Sequence, residues 1–346
     1  MKRCSTLFFQ PLDDHSGSVR VLANVIEEHY SDQKVYVITS SGHKGFLSEM
    51  PNVKIIYYWN PGWSHKYLKL INAIIWHCSA FMVMLTVGIW FKTFYINTIL
   101  PYHAAIIGIF FNKKIIYHVH EKFIVYSKGT KVAEDIFNKT PSHRIFVSNY
   151  LKKQYEEQEY ATYEIKYNKL SLSFVNKIAY KPIEQRERNC VIMISSLLVE
   201  KGANTLIELA RRMPTRNFLY VINATDEQIK DFYQNTSIPK NITLYHKQSD
   251  IHSFLNRADI NLNLSNPSEV VETFGMTILE AMSYGIPSIV PNAGGPLELV
   301  ENGINGYCVD VTDLKLIEEK INYILEASHY PHFVEGCMQK IKSLNN

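Results

Sequence analysis

The sequence contains no Cys-x-x-Cys pair, and its five cysteines (Cys4, Cys78, Cys190, Cys308, Cys337) are scattered and odd in number. That excludes a zinc knuckle and argues against a disulfide framework, so a reducing compartment is expected. It also lacks low-complexity tracts, repeats of fixed period and Asp-x-Asp metal motifs. Arginine is never densely clustered, and no nucleic-acid reader motif is recognisable, so a nucleic-acid partner is not expected. The opening Met1–Phe9 is too short in its apolar part for a signal peptide and reads as a first β-strand.

What the chain does have is a globular composition, with 46% apolar and 20% charged residues over 346 positions. That length exceeds one ordinary core and suits two domains. The net charge of +3 is unevenly spread. Residues 1–180 carry 21 Lys/Arg against 13 Asp/Glu, a net of +8, and the remainder carries 15 against 20, a net of −5. A basic half joined to an acidic half suggests that one half meets an anionic surface, for which anionic lipid is the expected partner.

Short apolar runs alternate with helical stretches in both halves. Leu7–Phe9, Val35–Thr39, Val53–Tyr58, Phe94–Asn97, Ile115–His118 and Arg144–Ser148 read as buried strands, with helices such as Val19–Tyr30 and Tyr102–Phe111 between them. Lys177–Arg188, polar and containing Pro182, reads as a linker. The alternation then restarts: strands at Val191–Ile194, Phe218–Ile222, Ile242–Tyr245, Ile260–Leu264 and Ser288–Val290 are interleaved with helices, among them Asn204–Arg212 and Met276–Ser283. This pattern predicts an α/β protein of two doubly wound parallel-sheet domains. Ligands in such folds sit at the carboxyl ends of the strands, and the cleft between the domains is the expected site.

Ile71–Phe91 is nearly continuous apolar sequence, long enough to span a bilayer. Asn72, His77, Cys78 and Ser79 interrupt it, and strands of one domain flank it on both sides. A buried or amphipathic helix is therefore expected, with a membrane-dipping or spanning helix as alternatives.

The most informative stretch is Val271–Pro287, where Glu272 and Glu280 lie eight positions apart around a short helix starting near Gly275. Gly285 is placed to end that helix, and Pro287 prevents its continuation. Backbone N–H groups at its amino end suit a diphosphate. Side chains lean toward the amino end of a helix, so Glu280 can reach back to ribose hydroxyls. From spacing alone, a solvated Glu280 and a simple turn at Gly275 remain an equal alternative.

This stretch resembles the signature of the family 4 glycosyltransferases, which are retaining enzymes of the GT-B fold. Their pattern E-x-F-G-x4-E-A-M-x-x-G-x-P is followed by Gly-Gly-x-x-Glu, here Gly294–Glu298. Ser195–Gly202 resembles the family's G-R-L-x-x-x-K-G element, with Ser196 in the place of the arginine. Asp14–Arg20 resembles its glycine-rich loop, with Gly17 as one glycine where two are common, and Ile116–Glu121 its strand-end histidine motif.

The resemblance implies two Rossmann-like domains, an acceptor-side domain over 1–178 and a nucleotide-sugar domain over 189–327. A carboxyl-terminal helix over 328–346 would pack back toward the first. It implies Glu272, His120 and Lys201 as catalytic residues, with Lys201 on the donor phosphates and His118 as the fallback for His120. It places Gly17, Ser196, Lys201, Phe274, Gly275, Met276 and Glu280 around the donor, with Arg20 as a substitute for the missing arginine. The implied reaction moves a sugar from a nucleoside-diphosphate sugar to an acceptor hydroxyl, without a cofactor or metal. A glycan or lipid-linked glycan acceptor in bacterial surface-polysaccharide synthesis is expected, in the cytoplasm or on the inner membrane face. Two rival readings stand beside it: a metal-dependent hydrolase using His118 and His120, and a catalytically degenerate nucleotide-sugar-binding protein.

Overall fold

A computed structural model describes residues 2–62, 69–121 and 128–345. The chain divides into two compact units, Met1–Ser171 and Leu172–Asn346. The first runs β1 (Lys2–Phe9), α1 (Gly17–Tyr30), β2 (Gln33–Ser40), β3 (Val53–Tyr58), α2 (Lys69–Gly88), β4 (Thr93–Asn97) and α3 (Tyr102–Phe110). It continues through β5 (Lys114–Val119), α4 (Lys128–Lys139), β6 (Ser142–Phe146), α5 (Asn149–Lys152) and β7 (Ala161–Ile165). The second opens with α6 (Leu172–Val175), β8 (Cys190–Ser195), α7 (Ala203–Arg212), β9 (Asn217–Ile222), α8 (Asp226–Phe232) and β10 (Ile242–Tyr245). There follow α9 (His252–Leu255), β11 (Ile260–Leu262), α10 (Met276–Met282), β12 (Ser288–Pro291), α11 (Pro296–Leu299), β13 (Gly306–Val309), α12 (Leu314–Leu325) and α13 (Tyr330–Asn345).

Among the described residues the strands form a seven-stranded sheet of order β3-β2-β1-β4-β5-β6-β7 and a six-stranded sheet of order β10-β9-β8-β11-β12-β13. Every strand pair is parallel. Helices cover parallel sheets on both faces, so inner strands carry apolar side chains without alternation. Strands β11 and β12 are buried throughout, and β4 is buried over Phe94–Asn97. In each unit the strand order reverses beside the first strand, between β1 and β4 and between β8 and β11. Those are the switch points where ligands of such sheets bind.

The unit boundary falls ahead of the expected linker. Pro182 does lead into a short 3₁₀ turn, but the residues around it pack into the second unit. Arg186 is buried there and donates to the Tyr284 carbonyl (2.6 Å), the Tyr330 hydroxyl (3.0 Å) and the Lys181 carbonyl (3.2 Å). A buried guanidinium needs such partners, and they anchor the segment. Tyr330, Phe333 and Val334 of α13 are buried in the core of the second unit.

Candidate active site

In the second unit, two loops meet above the switch point. One leaves β8 at Ser195 and reaches Lys201 in a 3₁₀ turn, and the other leaves β11 and reaches Glu272. The Asn266 N–H donates to the Glu200 carbonyl at 2.8 Å, and Gly202 closes against Leu264. Gly202 sits at φ +82°, where a Cβ would lie 2.3 Å from that of Leu264. So fixed, Lys201 Nζ and Glu272 Oε2 lie 3.0 Å apart as a partly exposed ion pair. The sequence motifs placed both residues at the donor, and the fold brings them together.

Below Glu272, the Gly294–Gly295 turn packs directly on backbone. The Gly295 N–H donates to the Glu272 carbonyl at 2.8 Å, and a Cβ at Gly295 would lie 2.1 Å from the Thr273 oxygen. This is the physical reason for the glycine pair: no side chain fits between the two strands of chain. Gly295→Ala should therefore cost about 1–3 kcal/mol of stability. Gly17→Ala should cost none, because Gly17 has no positive φ and nothing within 4 Å of a built Cβ. Thermal unfolding of both variants checks this, and equal losses would show that the glycine pair does not set the Glu272 loop.

Gly275, at φ +107°, precedes α10, and Glu280 within that helix is buried. The Phe274 side chain is buried too, so only its backbone is available to a ligand. Met276 begins the helix, half-buried, and Ser196 is half-buried at the end of β8. The Ser196 carbonyl accepts from the Ser195 hydroxyl at 3.1 Å.

In the first unit a polar network spans the ends of β1, β4 and β5. Asn97 Nδ2 donates to Gln10 Oε1 (2.6 Å) and to the Ser18 carbonyl in the first turn of α1 (3.1 Å). Its Oδ1 therefore faces His120 Nε2 at 2.8 Å, which must donate, so the proton of His120 sits on Nε2. Ser18, His120, Asn97 and Gln10 belong to one hydrogen-bonded group, and Gly17 precedes Ser18 at the start of α1. His118 and His120 share a face as alternation predicts, with ring centroids 4.3 Å apart. His118 lies beneath, buried, with Nδ1 2.8 Å from the Tyr95 hydroxyl, and supports His120. Burial holds both imidazoles neutral: His120 is lowered to about 3 and His118 well below its ordinary value. Burial also raises Glu121 to about 7.

Thr98, next to Asn97, takes φ +66°, a costly conformation for a β-branched residue and the kind of strain that collects at functional sites. Asn97, Gln10, Thr98 and Glu121 were not singled out from sequence. The signal was present, since Gln10 and Asn97 are the polar residues at the carboxyl ends of apolar strands. Arg20 lies in the first turn of α1, over the Phe46 ring at 4.8 Å. Among the described residues no three His, Cys, Asp or Glu side chains converge as metal ligands. The hydrolase reading therefore gains no support from His118 and His120.

Two doubly wound parallel sheets, each with a polar cluster at its switch point, define a protein of the GT-B fold. Comparison with known proteins agrees. The fold matches Anabaena Alr3699/HepE, solved in complex with UDP and glucose, at a TM-score of 0.77 and 20% identity, covering 99% of this chain and 94% of that one. It also matches WaaG, a glycosyltransferase involved in lipopolysaccharide biosynthesis, at a TM-score of 0.68 and 13% identity, covering 99% and 95%. In sequence, a sucrose synthase of Acidithiobacillus caldus is 42% identical over 57 residues, which is 16% of this chain and 7% of that relative's length. Residues 176–335, nearly the whole second unit, match the model of the glycosyl transferases group 1 family, and the second unit belongs to that family.

Proposed function

We propose that the protein transfers a sugar from a nucleoside-diphosphate sugar to an acceptor hydroxyl, with retention at the anomeric carbon. The observation that carries this reading is the Lys201–Glu272 pair held at the switch point of the family-matched unit. An ammonium there offsets the negative charge that grows on the leaving diphosphate as the glycosidic bond breaks. Since Lys201 supplies that charge, the reading needs no metal. The N–H groups at the start of α10 add donors, while Glu280 is assigned to the ribose. Glu272 and His120 are assigned to the sugar, with His120 held neutral and its proton on Nε2. Retention rests on the resemblance to family 4, and a uridine donor is suggested by the UDP-bound structure of similar fold.

For the acceptor, the first unit offers a cavity of about 390 Å³ at the strand ends, lined largely by apolar groups including Leu12, Trp76, Met84 and Leu100. Such walls suit an acceptor with an apolar part, as a lipid-linked glycan has. A role in bacterial surface-polysaccharide synthesis, at the cytoplasmic face of a membrane, fits that acceptor and the role of WaaG.

A thermal-shift panel of UDP, GDP, ADP, TDP and CMP, each with and without chelator, tests the reading. A ligand at one hundred times its Kd adds about 2.7 kcal/mol of stability. One nucleoside diphosphate should stabilise regardless of chelator. Silence across the panel, with stability falling on chelation, would overturn the reading in favour of a metal enzyme.

A further inference from the structure

Between Glu49 and Glu121 the sequence contains no acidic residue, while six lysines fall in that stretch. Within it, α2 includes an 18-residue window, Ile71–Gly88, of mean hydropathy 1.6, of which only 17% is buried. A core helix of that composition would be covered, and an ordinary surface helix would carry charges on its open side. Here the open side presents Ile71, Ile74, Cys78, Phe81 and Met82. The one exposed hydroxyl in the series, Thr86, turns back to the Met82 carbonyl at 2.9 Å.

The apolar surface continues around the end of the helix. Trp90 is 71% exposed and Phe110, at the end of α3, 75% exposed. Lysines border these rings: Lys113 Nζ donates to the Ile89 carbonyl at 3.1 Å, and Lys92 and Lys114 are exposed nearby in sequence. Aromatic rings with lysines at their edge form the combination that sits at a lipid headgroup layer. The inward side of α2 holds it to the fold. Ala80 and Met84 are buried, Trp76 meets Tyr58 with ring centroids 6.0 Å apart, and His77 Nδ1 lies 3.0 Å from His103 Nε2. The strands on either side of α2, β3 and β4, belong to one sheet. A helix pinned in this way lies along a surface rather than crossing it.

We propose that the open side of α2, with Trp90 and the end of α3, seats the protein on an anionic lipid surface. The lysines select negative headgroups and the apolar side chains enter the layer beneath them. A helix of 20 residues gives a contact about 30 Å long. Of the expected buried or amphipathic helix, the fully buried form does not hold: α2 is a surface helix whose outward side is apolar. This attachment stands apart from the transferase reading, because it needs no donor.

Vesicle co-sedimentation of the full chain tests it, comparing phosphatidylcholine alone with three parts phosphatidylcholine to one part phosphatidylglycerol. Binding should be at least about tenfold stronger to the anionic vesicles and weaken in high salt. Trp90 emission should shift to the blue and be quenched by brominated lipid, a signal that Trp90→Phe removes. The double variant Met82→Glu/Phe110→Glu should lose vesicle binding at least about tenfold while keeping the thermal shift given by its nucleotide and the melting temperature. Equal binding by wild type and variant would overturn the proposal. So would a lipid-free dimer that the double variant dissociates, combined with no vesicle binding, since a second copy would then cover the face.

Discussion

Lys201→Ala should lower kcat for sugar transfer by about 10²–10³-fold, the loss seen when one group stabilising a developing negative charge is removed. Glu272→Ala should separate two roles that the ion pair combines. Without its carboxylate, Lys201 loses the partner 3.0 Å away but stays partly exposed and solvated, so the unfolding cost should be small. Its ammonium no longer divides its attraction between carboxylate and phosphate. Nucleoside diphosphate should then bind Glu272→Ala at least as tightly as wild type, while transfer is lost. The two losses should not add in the double variant, because both residues act on one donor in one contact. Unchanged turnover in Lys201→Ala, measured with the nucleotide sugar chosen by the thermal-shift panel, would remove the proposed role of that residue.

Acid should destabilise the protein through the first unit, with a sign that its buried groups determine. His103, His118 and His120 are held neutral by burial, with His103 lowered to about 4 and His120 to about 3 from a usual 6.5. The unfolded chain therefore binds three protons below pH 6.5 that the native chain refuses. Glu121 works in the opposite sense: raised to about 7 from 4.5, it binds a proton in the native state that the unfolded chain lacks above pH 4.5. Three protons less one leaves two in favour of the unfolded chain between pH 6.5 and 4.5. The histidines' share of stability is thus fully present above pH 6.5, and between pH 6.5 and 4.5 the net stability falls as pH drops, by up to about 2.7 kcal/mol per pH unit. Urea unfolding at several pH values measures the slope. His103→Gln should flatten it by one proton's worth, about 1.4 kcal/mol per pH unit. A variant with the wild-type slope would show that His103 titrates normally.

Sequence and structure contribute to this account in different places. The parallel strands were legible because strands buried on both faces must be apolar throughout, as in Ile260–Leu262. The family-matched segment was legible because its chemistry is local: a helix started by Gly275 and the Gly294–Gly295 turn lie within about two dozen residues of Glu272. The resemblance to family 4 implied that Lys201 and Glu272 share one site, although only the closing of the Gly202 and Asn266 loops fixes them at 3.0 Å.

Tertiary structure alone decided the rest. Gln10 and Asn97 are 87 residues apart, and no local pattern shows that they share a hydrogen bond or that Asn97 fixes the tautomer of His120. Arg186 reads as one charge in a polar linker until Tyr284 and Tyr330, far along the chain, accept its hydrogen bonds and draw the segment into the second unit. Hydropathy marked α2 as apolar but could not say which side would be covered. By itself the sequence marked most of the strands and helices and the segment that resembles the family's donor signature, because those depend on neighbours along the chain. Which polar groups pair across a sheet, and which apolar side of α2 is left open, depend on how distant segments pack.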